Sequence, residues 1–200
     1  MAMKITRKHL NTELKKNSPL EKKIEVFEER VRGWQIEVAL EVERQIMKAN
    51  GKGVMGHAAY GLIAIYFSFF ETLGQFLAGK SSDSTARNFP KMSAGDAFLE
   101  GFKYIYPTTS LSGADIKLIY SRVRCGLYHD GFTKRKVFID GGYRLPFEVS
   151  QGKVKMNPHI VVKDVAASFE KYIKELQSTG GWSKQKRIAF KNLFDFNYFS

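Results

Sequence analysis

The stretch from residue 57 to residue 79, HAAYGLIAIYFSFFETLGQFLAG, is apolar nearly all round, and it limits what this chain can fold into. A membrane span needs about 20 consecutive apolar residues. Here Glu71 interrupts the stretch, and Gly79-Lys80 ends it. We therefore predict no membrane span but a central helix that neighbouring elements bury on most sides. Gly61 and Gly74 would let those neighbours approach closely.

Four further segments show the apolar spacing of helices. In residues 21–49 apolar side chains recur every three or four positions, which predicts an amphipathic helix. The stripe consists of Ile24, Phe27, Val31, Trp34, Val38, Val42 and Ile46. The same spacing predicts helices over 94–107, 114–129 and 158–177. Pro158, at the first turn of the last one, fits a helix start.

Residues 134–157 contain short β-rich runs broken by Gly and Pro, which predict two or three strands in a small hairpin. The predicted fold class is all-α: a bundle of about five helices with a small β-hairpin insert before the last core helix. The domain organisation follows from the same pattern. We predict a flexible basic lead-in over 1–20, one helical domain over 21–179, and a basic, aromatic tail over 180–200.

The net charge and the cysteine content indicate which class of partner and which cellular compartment to expect. The chain has 32 Lys and Arg against 20 Asp and Glu, a net charge of +12, which favours an anionic partner, nucleic acid before a membrane surface. The basic, aromatic tail would either stack on RNA bases or dock on the protein body. The single cysteine, Cys125, excludes an internal disulfide framework and fits a cytoplasmic protein.

Neither a cofactor nor a metal is predicted. GKGVMG at 51–56 has the G-x-G-x-x-G spelling, but a helix precedes it where a dinucleotide loop needs a strand. A helix–helix turn is the better interpretation. Cys125 and His129 lie four residues apart and could be two metal ligands, with Asp130 nearby. A zinc site needs four groups, or three and a water, and no further ligand is evident.

The segment YSRVRCGLYHDG (120–131) carries the most chemistry. Arg122, Arg124 and His129 are the residue types that metal-independent RNA cleavage needs: histidine moves a proton, and arginine holds the phosphate. The alternative is a solvated basic helix end that complements the helix dipole. On a straight α-helix Arg122 lies about 20° from His129 and Arg124 about 140° from it. Arg124 reaches the histidine only if the helix distorts near Gly126 or a second chain completes the site.

At this point the sequence resembles the HEPN superfamily, whose hallmark is R-x(4–6)-H near the end of a core helix. Arg124-Cys-Gly-Leu-Tyr-His129 matches with four intervening residues, and Arg122 to His129 matches with six. The resemblance covers roughly residues 24–178 and includes the order of the helices as well as the motif.

The resemblance implies an all-α bundle that dimerises so that two motif helices face each other and share the site. It implies metal-independent endoribonuclease activity, often as a toxin or defence effector with a cognate antitoxin or another partner protein. By position, Arg124 would bind the phosphate, His129 would be the acid or base, and Arg122 would assist. Glu71 could orient an arginine. Three further residues are expected to support the site: Cys125, Tyr128 and Asp130.

One position departs from the family pattern. Active members commonly carry a polar residue, often Asn, directly after the arginine, and this chain has Cys125 there. Other members of the superfamily bind or scaffold without cutting. A non-catalytic HEPN-like module that binds nucleic acid or a partner protein is therefore the alternative function.

Overall fold

The computed structural model describes residues 14–50, 52, 58–83, 85, 87–131 and 133–199, without the Trp182 side chain. Most of the GKGVMG stretch and residues 1–13 of the predicted lead-in lie outside these ranges. Within them the chain is mostly helical, with six helices and a small three-stranded sheet. The predicted predominance of helix with a small β insert is confirmed.

The first five helices begin and end close to the predicted positions. Helix α1 runs through Leu20–Val31, a π-helical segment Arg32–Ile36, and Glu37–Ala49. The next two helices are α2 (Ala59–Ala78) and α3 (Ala94–Ile105). Helix α4 starts as Gly113–Ile119 and continues through π-helical segments Tyr120–Arg124 and Gly126–Asp130. The last two are α5 (Pro158–Gln177) and α6 (Gly181–Phe199).

The β insert lies between α4 and α5 and is more than a hairpin. Its strands are β1 (Val137–Ile139), β2 (Phe147–Ser150) and β3 (Lys153–Met156). β2 and β3 form an antiparallel hairpin, and β1 pairs with β3 in parallel, so the order is β1-β3-β2. The sheet's inner side buries Phe147, Val154 and Met156 in the common core.

Helix α2 is the central helix of the bundle. It contacts α1, α3, α5 and α6, and it is buried along most of its length. Its buried apolar side chains are Leu62, Ile63, Tyr66, Phe67, Phe69, Phe70, Leu73 and Phe76. By length and composition alone this helix could cross a membrane, but 56% of its most apolar stretch is buried inside the protein. Such packing is typical of the core helix of a soluble protein.

Two glycines allow α2 and α3 to touch backbone to backbone. A Cβ on Gly74 would lie 1.8 Å from the Ala97 carbonyl oxygen, and one on Gly101 would lie 1.9 Å from the Phe70 carbonyl oxygen. The expectation for Gly74 is confirmed. The expectation for Gly61 is wrong, because nothing lies within 4 Å of a Cβ there.

The predicted stripe of α1 is wrong only at Trp34 and Val38, whereas Val42 packs half-buried against the core and Ile46 is buried. Ile24, Phe27 and Val31 are buried, but Trp34 is 53% exposed and Val38 41% exposed. The physical reason is the π-helical segment Arg32–Ile36, which adds one residue to the turn and rotates the following residues. From the π-helical segment onward the buried positions are Ile36, Ala39, Glu43 and Ile46, and the last of these belongs to the predicted stripe.

Residues 181–199, predicted as part of the tail, form the sixth helix and pack on the body. Phe190, Leu193 and Phe194 of α6 are buried. Lys23 of α1 is fully buried, and its Nζ lies 2.5 Å from Asp195 Oδ1 and 2.6 Å from the Lys16 carbonyl oxygen. The buried ion pair therefore holds α6 against α1.

The contact between α2 and α3 gives a first prediction. We expect Gly101→Ala to lower the free energy of unfolding by about 3 kcal/mol, because the added methyl meets rigid backbone. Gly61→Ala is the control and should be neutral or up to ~1 kcal/mol more stable, since alanine favours helix. Urea unfolding followed by circular dichroism measures both. Equal stability of the two variants would contradict the packing described.

Asp195 gives a second prediction, on pH. Burial raises the pKa of Asp195 and the hydrogen bonds from Lys23 and Lys191 lower it, with a lowered pKa as the balance. Such a carboxyl stabilises the fold above its unfolded pKa of about 3.9 and loses that effect as pH falls through the folded value. We expect Asp195→Asn to cost about 3 kcal/mol near neutral pH. The stability gap to wild type should shrink below about pH 4; a gap independent of pH would contradict this role.

Candidate active site on the fourth helix

The R-x(4)-H motif lies on the part of α4 that departs from α-helical geometry. The helix begins with a capping box, in which the Ser112 and Asp115 side chains each accept from the other's backbone N–H. After Ile119 the helix widens, and the Cys125 N–H donates to the Tyr120 carbonyl oxygen, five residues back. It ends at Gly131, whose positive φ of 74° suits glycine.

The widened helix changes the angles between the side chains of the motif. Hydrogen bonds in a π-helix join residues five apart, so residues five apart are closer in angle than on an α-helix. Arg124 and His129 have this separation, and the second π-helical segment includes Gly126, near which a distortion was one of the two predicted ways for Arg124 to reach His129. Arg122, seven residues from His129, was aligned with it only on a straight α-helix.

Arg124 is held from three directions. Its Nη2 lies 2.8 Å from Glu71 Oε2 of α2, and the two side chains are only 19% and 11% exposed. The guanidinium carbon lies 4.4 Å from the centroid of the Tyr128 ring and 5.8 Å from that of Tyr120. The arginine expected to bind phosphate is thus fixed in position by an acid and two aromatic rings.

Glu71 is the single acid in the apolar stretch of α2, and its carboxylate faces the motif helix. Besides Arg124 it contacts Ser82, whose hydroxyl donates to Oε1 at 3.3 Å. Its Oε2 pairs with Arg124 by charge without an aligned hydrogen bond, and the Arg124 Nε has no hydrogen-bond partner among the described residues. A guanidinium has five N–H donors, so the ion pair leaves donors for an anionic ligand.

The two tyrosines differ in exposure. Tyr128 is 48% exposed, and its hydroxyl donates to the Ala64 carbonyl oxygen at 3.0 Å. Tyr120 is half-buried beside Cys125; burial and the neighbouring thiol raise the pKa of its hydroxyl to about 12. Tyr120 therefore stays a neutral phenol at physiological pH and adds no negative charge beside Arg124.

His129 and Asp130 are exposed at the end of α4. In the described part of the chain neither side chain has a hydrogen bond or an ion pair. The imidazole is therefore open to a ligand from outside the chain. Of the residues predicted for the site, Arg124 contacts both Glu71 and Tyr128, and His129 is exposed in the last turn of α4.

Arg122 has a different surrounding from Arg124. Its Nη1 donates to the Gly152 carbonyl oxygen in the turn between β2 and β3. The Lys134 N–H donates to the Arg122 carbonyl oxygen at 2.9 Å. Arg122 therefore joins the motif helix to the β insert, and its side chain is directed to that turn.

A groove beside Tyr128 could not be predicted from the sequence. It has a volume of about 490 Å³ and lies between α1, α2 and the end of α4, with Trp34, Gln35, Ser68 and Tyr128 among its lining residues. The Gln35 Oε1 is buried without a hydrogen-bond partner in the described part of the chain. Trp34 reaches the groove because of the π-helical segment in α1, and no sequence signal marked that segment.

Within the described ranges, no group of three or more His, Cys, Asp or Glu side chains is placed to hold a metal ion. Comparison with known proteins does not assign the chain to a family. No protein-family model, curated protein or solved structure matches this chain. Function therefore has to be argued from the geometry of α4 and its neighbours.

The Glu71–Arg124 pair gives a third prediction. Removing either partner leaves a largely buried charge unpaired, so we expect Glu71→Gln and Arg124→Gln each to cost about 3 kcal/mol. The double variant should cost at least about 1 kcal/mol less than the two single costs added together, because it leaves no orphaned charge. Urea unfolding of all four proteins measures this coupling. Strict additivity would show that the two groups do not interact.

Proposed function

We propose that this protein is a metal-independent endoribonuclease of the HEPN type. The observation that carries the proposal is the arrangement on α4: Arg124 is held by Glu71 beside two tyrosines, and exposed His129 follows it five residues later on the same widened helix. A fixed guanidinium and a free imidazole are the pair that phosphodiester cleavage through the 2′-hydroxyl requires.

The reaction divides between the two residues as follows. Arg124 binds the scissile phosphate and offsets the charge that builds up on it as the 2′-oxygen attacks phosphorus. His129 transfers the proton, either from the attacking 2′-hydroxyl or to the departing 5′-oxygen. The bond from phosphorus to the 5′-oxygen breaks, which yields a 2′,3′-cyclic phosphate and a 5′-hydroxyl. Arg122 supports the site through its contact with the β2–β3 turn.

The active form that we propose is a homodimer in which motif helices face each other. In support, two large aromatic side chains, Trp34 and Tyr128, are exposed and line the same groove at the end of the motif helix. A single chain rarely leaves such side chains together in water without a partner. A toxin or defence effector acting on cytoplasmic RNA, with an antitoxin as a further partner, is the setting that we propose.

A non-catalytic module that binds nucleic acid or a partner protein is the second candidate. Two features favour it. Cys125 stands where active family members often carry Asn, and the Glu71 carboxylate already neutralises the charge of Arg124. The two candidates differ in one readout, the integrity of bound RNA.

Cleavage in EDTA tests the proposal. Wild type should cut a mixed single-stranded RNA pool, and His129→Ala should lose about 10²-fold or more of the rate, the usual contribution of a proton-transfer residue. Arg124→Ala should lose a similar factor. The products should carry 2′,3′-cyclic phosphate ends, identified by mass spectrometry.

His159→Gln is the matched control, because it changes a histidine on another helix, and it should keep most of the activity. Folding of each variant is verified by circular dichroism and the dimer by light scattering. Intact RNA after incubation with a folded wild-type dimer would support the binding module. Cleavage that depends on a divalent metal would contradict the proposed mechanism.

A further inference from the structure

The outer face of the β insert combines exposed cations with an aromatic ring. Side chains alternate across a strand, so Phe138, Lys153 and Lys155 lie on the side opposite to buried Val154 and Met156. Phe138 is 46% exposed and is the register partner of Lys155. An exposed phenylalanine in the middle of an edge strand has no role in the core, since its ring is turned away from it.

The segment before β1 adds further positive charge to this face. Lys134, Arg135 and Lys136 are all exposed. The Val154 N–H donates to the Lys136 carbonyl oxygen at 2.9 Å, which places this segment next to Lys153. None of these four cations has an ion pair in the described part of the chain. The one acid in the strands of the sheet, Glu148, is paired with Lys155 at 2.9 Å.

The face is tied to the motif helix by two contacts. The Lys134 N–H and the Gly152 carbonyl oxygen both bond to Arg122, two residues before Arg124. These contacts hold the β insert beside α4, whose last turn carries exposed His129.

We infer that the outer face of the β insert is a platform for single-stranded RNA. Phe138 stacks on an unpaired base, and Lys134, Arg135 and Lys153 pair with phosphates on either side of it. Basic residues next to an exposed ring are how proteins bind single strands without reading their sequence. A duplex keeps its bases stacked inside and offers no base to Phe138. This inference rests on the proposed function, for which it supplies the element that delivers substrate.

Binding of a labelled RNA tests the platform. The probe is a fluorescein-labelled single strand of about 16 nucleotides, in EDTA and in a His129→Ala background that keeps the RNA intact. The platform variant is Lys134→Gln/Arg135→Gln/Lys153→Gln. We expect its Kd to rise at least about tenfold at 0.1 M salt, and the slope of log K against log salt to fall by about 2, or ~0.7 for each lost phosphate contact.

The matched control changes three exposed lysines on helices α1, α3 and α5: Lys22→Gln/Lys103→Gln/Lys174→Gln. It removes the same charge and should alter Kd by less than about twofold, because it loses no phosphate contact. Phe138→Leu should weaken binding about fivefold or more, whereas Phe138→Tyr should preserve it, because only the ring stacks. Circular dichroism verifies that all variants fold.

If the platform and control variants weakened RNA binding equally, the inference would be overturned, because the loss of affinity would then follow from the lower net charge alone. Binding to vesicles of anionic phospholipid in preference to RNA would also overturn it. Failure of the ribonuclease proposal looks different: wild type would leave RNA intact while binding still depended on Phe138 and the three cations. Undiminished binding by the platform variant, with cleavage by wild type, would overturn the platform alone.

Discussion

The structure depends on the burial of α2, a helix that is apolar on nearly every side and has to be covered by other elements. Helices α1, α3, α5 and α6 cover it, and the glycine contact brings the backbones of α2 and α3 together. Burial makes the carboxylate of Glu71 costly unless a cation meets it. Arg124 is that cation, so the helix that organises the core also fixes the position of the arginine in the candidate site.

The π-helical segments in α1 and α4 change which side chains of these two helices are exposed on the surface. In α1 the π-helical segment turns Trp34 and Val38 outward and brings Glu43 into the buried face. In α4 two such segments carry Arg124 and His129, so the angle between these two side chains differs from that on a straight α-helix. Each widening departs from the regular spacing that best buries an amphipathic helix, and both border the groove beside Tyr128. π-helical turns are frequent at functional sites, and this arrangement agrees with that tendency.

The β insert has one face packed in the core and one face exposed to solvent. Its inner residues join the common core, whereas its outer face carries cations and Phe138. Arg122 connects the insert to α4, so the motif contains one arginine bonded to the sheet and one paired with the core helix. The two arginines have different surroundings because residues two apart on a helix point to different sides.

The sequence by itself determined the positions of the first five helices, the buried central helix and the composition of the motif. Apolar spacing and terminal signals such as Pro158 are local, so they can be recognised without the fold. Pairing of Glu71 with Arg124, the outward turn of Trp34 and the parallel pairing of β1 with β3 were decided only in the tertiary structure. Those features depend on the π-helical turns and on contacts between residues far apart in the chain. No local residue pattern marks a π-helical turn in the sequence. The turn has poorer backbone geometry than an α-helix, and the packing of the whole bundle offsets that cost.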